Sequence, residues 1–333
     1  MDQYRLDCDL QEAVCNSNVQ LVKLLLDTGA DINTINTRNA YSGKTPLMHA
    51  CSRGYTNIVK LLLEAGADPN ITSKKITPLM VTVPFYRIKS LYAYSKIIKL
   101  LIDAGADINA VDDFGRTALF SKCIHHNTEA AKLLLKHGAD PDIADNTGKF
   151  LLLYASCEGY TGIVDLLLKY GADPNKQGPD NTNPLIEASA CGFDSIVRLL
   201  LKNGADIAAA DNTGHTALMK ACMHRHKETA VILLKMGADP NAVNISGKSA
   251  IHDAAVSGQD GILKKLIAAG GDIYMKDESD PQHRNVLQLL RDNFPGKTEL
   301  ARDIQKLYRK IYERRLGQED IPSPVRTDFE FDI

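Results

Sequence analysis

Leu61-Leu62-Leu63-Glu64-Ala65-Gly66-Ala67-Asp68-Pro69-Asn70 decides how this chain folds, because the chain is built by repeating it. Gly-Ala-Asp begins at Gly29, Gly66, Gly105, Gly138, Gly171, Gly204 and Gly237, and a Gly-Gly-Asp variant begins at Gly270. Neighbouring starts differ by 37, 39, 33, 33, 33, 33 and 33 positions. A fixed period near 33 residues marks a solenoid, in which each unit is one supersecondary module stacked on the next. The leucine run, ended by an acidic or basic residue, predicts the last turns of a helix buried on more than one side. Gly66 closes that helix in the left-handed backbone that a Cβ would make costly. Asp68, Pro69 and Asn70 then lead away as a turn, since Asp and Asn bond their own backbone and Pro cannot continue a helix.

A second signal lies about 20 residues upstream of each run, in phase with it. It reads Gly43-Lys44-Thr45-Pro46-Leu47-Met48-His49-Ala50, then Gly115-Arg116-Thr117-Ala118-Leu119, Gly214-His215-Thr216-Ala217-Leu218 and Gly247-Lys248-Ser249-Ala250-Ile251. Thr or Ser before Pro or Ala starts a helix: the hydroxyl caps free N–H groups, and Pro fits the first helical position. Helix, turn, helix and turn with Gly-x-Thr-Pro-Leu and Gly-Ala-Asp at this period resembles the ankyrin repeat. The resemblance covers about residues 6 to 290 and rests on two motifs recurring together. It implies an all-α solenoid of about nine antiparallel helix pairs, with hairpin fingers along one edge and a concave face that binds proteins.

The composition agrees with that class. The formal net charge is -2, so no global basic field recruits nucleic acid or a membrane surface. Tryptophan is absent and aromatics are 6%, as suits a core filled by small and aliphatic side chains. Met1-Asp2-Gln3-Tyr4-Arg5 is followed by no apolar stretch, so no signal peptide is expected, and runs such as 150–155 are too short to span a bilayer. A soluble cytoplasmic protein is expected, with nuclear residence or delivery into a host cell left open. Of seven cysteines, Cys51, Cys123 and Cys222 share one register, where Ser156, Ser189 and Ala255 sit in other repeats. That register reads as a small buried site holding free thiols, which favours a reducing compartment.

Taken in order, residues 1–296 form the repeat domain, with atypical first and last units. The first repeat lacks its finger, and its polar Asp7, Asp9, Gln11 and Glu12 suit a unit that shields the end of the stack. Extra residues around Asn36-Thr37-Arg38-Asn39 extend the next finger. The third repeat departs most. After a first helix at Thr77-Pro78-Leu79-Met80, which Pro84 should stop, residues 83–94 carry an insertion before the second helix resumes at Ser95. Its aromatics with Arg87 and Lys89 form either a binding epitope or a flap on neighbouring repeats. In the fifth repeat Lys149-Phe150-Leu151-Leu152-Leu153 replaces Thr-Pro-Leu-His, so the helix loses its cap but keeps its apolar pattern, and Phe150 either fills core or belongs to a sticky patch. Residues 297–316 follow as an amphipathic capping helix, with Leu300, Ile304, Leu307 and Ile311 on one face and basic residues on the other. Residues 317–333 read as a flexible tail ending Asp328-Phe329-Glu330-Phe331-Asp332-Ile333, whose alternation suits a short docking motif.

No constellation supports catalysis, a cofactor or a metal. His125, His126, His215, His224 and His226 lack metal-site spacing, and the glycines are helix stops rather than a phosphate loop. The function expected is therefore a non-enzymatic interaction scaffold, working as a monomer. The alternative is an adaptor or secreted bacterial effector that binds targets with its repeats and recruits a second factor with its tail. From the register, fingertips and one stripe of each first helix form the protein-binding surface. It comprises Tyr41, Lys44 and Arg53, then Phe114, Arg116, Ile124 and His125, then Lys149 and Tyr154, then His215, Lys220, Met223 and His224, and finally Lys248. His49 belongs to the same stripe. Basic groups at 44, 116, 149, 215 and 248 beside Phe114, Ile124, Tyr154 and Met223 suggest a partner with an acidic and hydrophobic segment.

Overall fold

The structure is a computed structural model and describes residues 2–35, 43–82, 91–278 and 280–316. Tyr41, the fingertip at 36–39, most of the insertion (83–90) and the tail at 317–333 lie outside the described residues. Among the described residues the regular structure is seventeen α-helices and two short 3-10 helices, and the extended chain forms only isolated bridges. Two compact units divide the chain, Met1–Pro179 and Asp180–Ile333.

The first unit contains α1 (Gln3–Cys15) with α2 (Val19–Asp27), α3 (Pro46–Arg53) with α4 (Thr56–Glu64), and α5 (Leu91–Asp103). It continues with α6 (Ala118–Ile124) and α7 (Thr128–Lys136), then α8 (Leu151–Cys157) and α9 (Thr161–Lys169). Each pair packs on itself, while α1 meets α3, α6 meets α8, and α2, α4, α5, α7 and α9 form a second row. The second unit repeats the plan. It holds α10 (Pro184–Cys191), α11 (Asp194–Lys202), α12 (Ala217–Met223), α13 (Lys227–Lys235), α14 (Ala250–Val256), α15 (Asp260–Ala268), α16 (Val286–Asn293) and α17 (Thr298–Leu316). Here α10, α12, α14 and α16 stack as first helices, and α11, α13, α15 and α17 as second helices. The basic-faced α17 therefore takes the place of a ninth second helix, burying Ala301 and Ile304.

The local signals act as their chemistry requires. The hydroxyls of Thr45, Thr117 and Thr216 accept from the backbone N–H three residues on, and Asn183 and Asn285 do the same through their amides. Phe150 has no such bond and is fully buried, so that helix exchanges a cap for packing. Gly66 sits at φ +94°, and beyond it the Ala67 N–H reaches back to the Leu62 carbonyl at 2.9 Å, the six-residue closure of a Schellman motif. Cys51, Cys123 and Cys222 are buried where expected, at the register of Ser156, Ser189 and Ala255.

The structure differs from the expected layout in two places. Gln11 does not shield the end of the stack. It is buried, and its amide donates to the carbonyls of Thr34 and Lys44 at 3.3 and 3.0 Å, tying the first repeat to the second. Among the described residues the third repeat's first helix is a single turn at 78–81, closed by Met80 and Val81 N–H on the Thr77 carbonyl, and its second helix, Leu91–Asp103, takes in residues before Ser95. Pro84 accounts for the early stop: a continuing helix would need an N–H at position 84 for the Met80 carbonyl, and proline has none, while a residue before proline is disfavoured in the helical conformation.

Candidate protein-interaction surface

Four of the fingers are each organised by one carboxylate or amide that the sequence reading passed over. Asp112 Oδ1 accepts from the N–H groups of Phe114 and Arg116 at 2.8 and 2.9 Å. Asp145 holds Thr147 and Lys149 in the same way, Asp211 holds Thr213 and His215, and Asn244 holds Ser246 and Lys248. Neighbouring fingers then zip together: Asn146 N–H donates to Phe114 O at 2.9 Å, and Asn146 Nδ2 donates to Asp113 O at 2.8 Å. Asp or Asn four residues before the basic fingertip position was the available signal. At the opposite turns, Asn70 Oδ1 accepts from Asp107 N–H at 2.7 Å, and Asn70 Nδ2 donates to Gly105 O at 3.0 Å. Repeat-to-repeat geometry is thus fixed by short polar side chains at both ends of each unit, where water would otherwise compete.

In the first unit the fingertip residues form an aromatic and cationic cluster. Phe114 is 64% exposed. The Arg116 guanidinium lies 5.5 Å from its ring centre and 5.3 Å from that of Phe120. Phe120 meets Tyr154 at 5.6 Å, and Tyr154 meets Tyr160 edge-on at 6.1 Å. Burial first, then Glu158 and Tyr160, raise the Tyr154 phenol above its ordinary value, so it is a neutral donor at any physiological pH. Lys149 and His125 are exposed and Ile124 is half-buried. No salt bridge among the described residues engages Arg116 or Lys149. Further back, Arg53 is exposed and Lys44 half-buried, whereas His49 is buried instead of lining the stripe. Burial, with Arg53 and Lys44 adding to it, pushes the His49 imidazole down to about 4.

The corresponding residues of the second unit are engaged with one another. Lys220 Nζ lies 2.8 Å from Asp211 Oδ2, and Lys248 Nζ lies 2.7 Å from the buried carboxylate of Asp253. His215 is half-buried in a chain of bonds. Asn244 Nδ2 lies 3.1 Å from its Nε2, its Nδ1 lies 2.6 Å from Thr213 Oγ1, and that hydroxyl donates to Asp211 Oδ1 at 2.6 Å. The only donor pattern that satisfies all three is a neutral imidazole protonated on Nδ1. Burial and Lys220 lower the His215 pKa, in accord with that tautomer. Burial would raise the Asp211 carboxyl, but Lys220, Thr213 and two backbone N–H groups outweigh it and hold the group far below the usual carboxylate range. Met223 is partly exposed, and exposed His224 stacks on His226 at 6.4 Å.

Across the whole stripe, the clearest residue that sequence reasoning missed is Lys122. It stands where Ala50, Ala155, Ala188, Ala221 and Ala254 are buried in other repeats, and it too is fully buried. Its Nζ donates to the carbonyls of Leu79 at 3.3 Å and Met80 at 3.2 Å. These are the acceptors stranded by the truncated helix, and Thr82 Oγ1 supplies a further donor to Leu79 at 2.6 Å. Burial lowers the Lys122 pKa to about 7, and the facing Cys51 thiol acts weakly the other way. Cys51 itself is driven far above the ordinary thiol range by its own burial. Lysine in an alanine register, one repeat after a Pro-broken helix, was a legible signal.

A family model described as ankyrin repeats, in three copies, matches residues 10–84, 88–178 and 185–277. The chain belongs to the ankyrin-repeat family. A comparison with curated proteins returns no match. Ankyrin repeats are generally protein–protein interaction modules. Among the described residues no group of three His, Cys, Asp or Glu side chains could hold a metal ion, and no helix is long and apolar enough to cross a membrane.

Proposed function

We propose that this ankyrin-repeat chain is a non-enzymatic scaffold that binds a partner protein through its fingers and first-helix stripe, with the main contact on the fourth and fifth repeats. One observation carries the reading. Among the described residues no salt bridge engages Arg116 or Lys149, which stand beside exposed Phe114 and half-buried Tyr154. A desolvated apolar anchor ringed by groups that can pair with incoming carboxylates is the usual anatomy of a binding hot spot. The matching partner segment is acidic and hydrophobic. In the second unit Lys220, Lys248 and His215 are neutralised or bonded internally, so His215, Lys220, Met223, His224 and Lys248 take a secondary part. Residues 297–316 serve as the cap of the repeat domain 1–296 in this reading, leaving recognition to the repeats.

The test is capture by zero-length crosslinking, comparing the unmodified chain with two variants of equal charge change. Phe114→Ala with Arg116→Glu and Lys149→Glu should abolish capture of the specific partner, whereas Lys220→Glu with Lys248→Glu should leave most of it. Equal loss in both variants, or none in the first, would refute the assignment to the fourth and fifth repeats. Circular dichroism of all three proteins guards against simple unfolding.

A further inference from the structure

Leu21 lies three residues past Asn18, the cap of α2, at a position that is closed in other repeats. Ile58, Ile163, Ile196 and Ile262 hold it at 3% exposure or less. What closes it is the second helix of the preceding repeat: at the same position of α13, Thr229 Oγ1 donates to Asp194 Oδ1 at the start of α11, 2.5 Å away. The first repeat has no such neighbour among the described residues, and Leu21 is 38% exposed. Leu24, one turn on, is 58% exposed, whereas Leu61, Leu166 and Leu199 are half-buried at its register. Beside these two leucines the charges are one-sided. Asp9 is half-buried, two residues before Gln11, and so about 200° round α1 from the side chain that bonds the second repeat. Other repeats bury Pro46, Ala118, Leu151 and Ala217 in that register, where the first repeat places a carboxylate. Residues 2–27 hold Asp2, Asp7, Asp9, Glu12 and Asp27 against Arg5 and Lys23, while α3 and α4 hold Arg53 and Lys60 against Glu64. Among the described residues no salt bridge engages Asp9, Glu12 or Asp27.

We propose that the outer face of α1 and α2 docks a basic amphipathic helix of a partner protein, lying beside α2 where the second helix of a preceding repeat would lie. Apolar side chains of that helix would cover Leu21 and Leu24, and its lysines or arginines would meet Asp9, Glu12 and Asp27. Register sets the shape of the occupant, because the same position elsewhere is closed by a helix. Charge sets its chemistry. A second copy presenting the same end would bring acid against acid. The basic-faced α17 already packs its apolar side on its own unit, burying Ala301 and Ile304. This face shares no residue with the surface on the fourth and fifth repeats, so it gives the first unit a second, chemically opposite recognition site.

Fluorescence anisotropy on the full chain tests this with a labelled amphipathic peptide that carries leucine along one face and lysine along the other. Leu21→Gln/Leu24→Gln should weaken binding about tenfold or more. Asp9→Asn/Asp27→Asn should weaken it about threefold or more at low salt and flatten its salt dependence. A counterpart peptide with glutamate in place of lysine should bind the unmodified chain at least about tenfold more weakly. Phe114→Ala should bind the lysine peptide as the unmodified chain does, which separates this face from the one that captures a partner on the fourth and fifth repeats. Circular dichroism confirms that each variant is folded. No binding, binding that ignores both pairs of substitutions, or an equal loss with Phe114→Ala would overturn the inference. Sedimentation velocity covers the remaining occupant: self-association that grows with concentration and vanishes in Leu21→Gln/Leu24→Gln would give the face to a second copy and overturn the basic helix. Failure of the Arg116→Glu and Lys149→Glu capture experiment would leave this result untouched.

Discussion

Replacing Lys122 by methionine isolates what a buried amine does to this fold. Lys122 is fully enclosed, and burial lowers its pKa from the usual 10.5 to about 7. The unfolded chain keeps the higher value, so between those two pH values the unfolded state holds a proton that the folded state has lost. Stability must therefore rise with pH across that window, be lowest below pH 7 and level off above 10.5. The full difference is about 5 kcal/mol, and about 2.7 kcal/mol of it falls between pH 6 and pH 9. The bonds from Nζ to the Leu79 and Met80 carbonyls are stronger for an ammonium than for an amine and act against the shift. A measured gain of about 1 to 3 kcal/mol is thus expected. Urea unfolding of wild type and Lys122→Met at pH 6, 7.5 and 9, followed by circular dichroism, supplies the difference, and subtracting the methionine variant removes every other titration. Curves that stay parallel within about 0.5 kcal/mol would refute the reasoning, since the amine would then keep the same pKa folded and unfolded.

Other expectations follow from single contacts. Phe150→Ala removes a fully buried ring from the uncapped fifth repeat and should cost about 3 to 5 kcal/mol in urea unfolding. Asn70→Ala removes two bonds between the second and third repeats and should cost about 1 to 3 kcal/mol, with faster amide exchange at Asp107. Ser156→Ala should stabilise by up to about 1 kcal/mol, because the buried hydroxyl has no partner and this register accepts Ala255 elsewhere. Among the thiols, exposed Cys157 should be alkylated first. Cys123 and Cys222, each pushed up to about 12 by burial, should react only on unfolding, which mass spectrometry of iodoacetamide-treated protein can follow.

The fold was legible because its signals are local and repeated. A glycine that closes each second helix and a hydroxyl that opens each first helix need no knowledge of distant residues. Irregular units were harder to read. Pro84 marked the end of a helix, but not that the helix would shrink to one turn, because that depends on whether another repeat can satisfy its carbonyls. Gln11 and His49 looked like surface residues because polarity is a poor guide to burial where a backbone carbonyl or a neighbouring repeat waits. The candidate surface was legible in outline, since register alone places fingertips and stripe. Which of its cations are free was not, since that is settled by pairs between finger and helix.

Those pairs follow a spacing that turns the surface into something adjustable. The basic fingertip residue and the first-helix residue five positions later form a recurring pair in sequence: Lys44 with His49, Arg116 with Ser121, Lys149 with Tyr154, His215 with Lys220, Lys248 with Asp253. Lys44 helps lower the His49 pKa, Lys220 helps lower that of His215, and Lys248 bonds Asp253, so three of the five pairs are seen to interact. Where the second member is acidic the cation is spent, and where it is Ser or Tyr the cation faces solvent. Placing an acid at the tyrosine position should therefore close the fifth repeat as Asp253 closes the eighth. In a double-mutant cycle, Tyr154→Asp should couple to Lys149→Gln by about 0.2 to 1 kcal/mol at low salt and by less at high salt, as a partly exposed pair should. The same Tyr154→Asp variant should lose partner capture even though Lys149 is intact. Coupling near zero with capture still lost would mean that Tyr154 acts only through its ring, and the spacing would then say nothing about which cations are available.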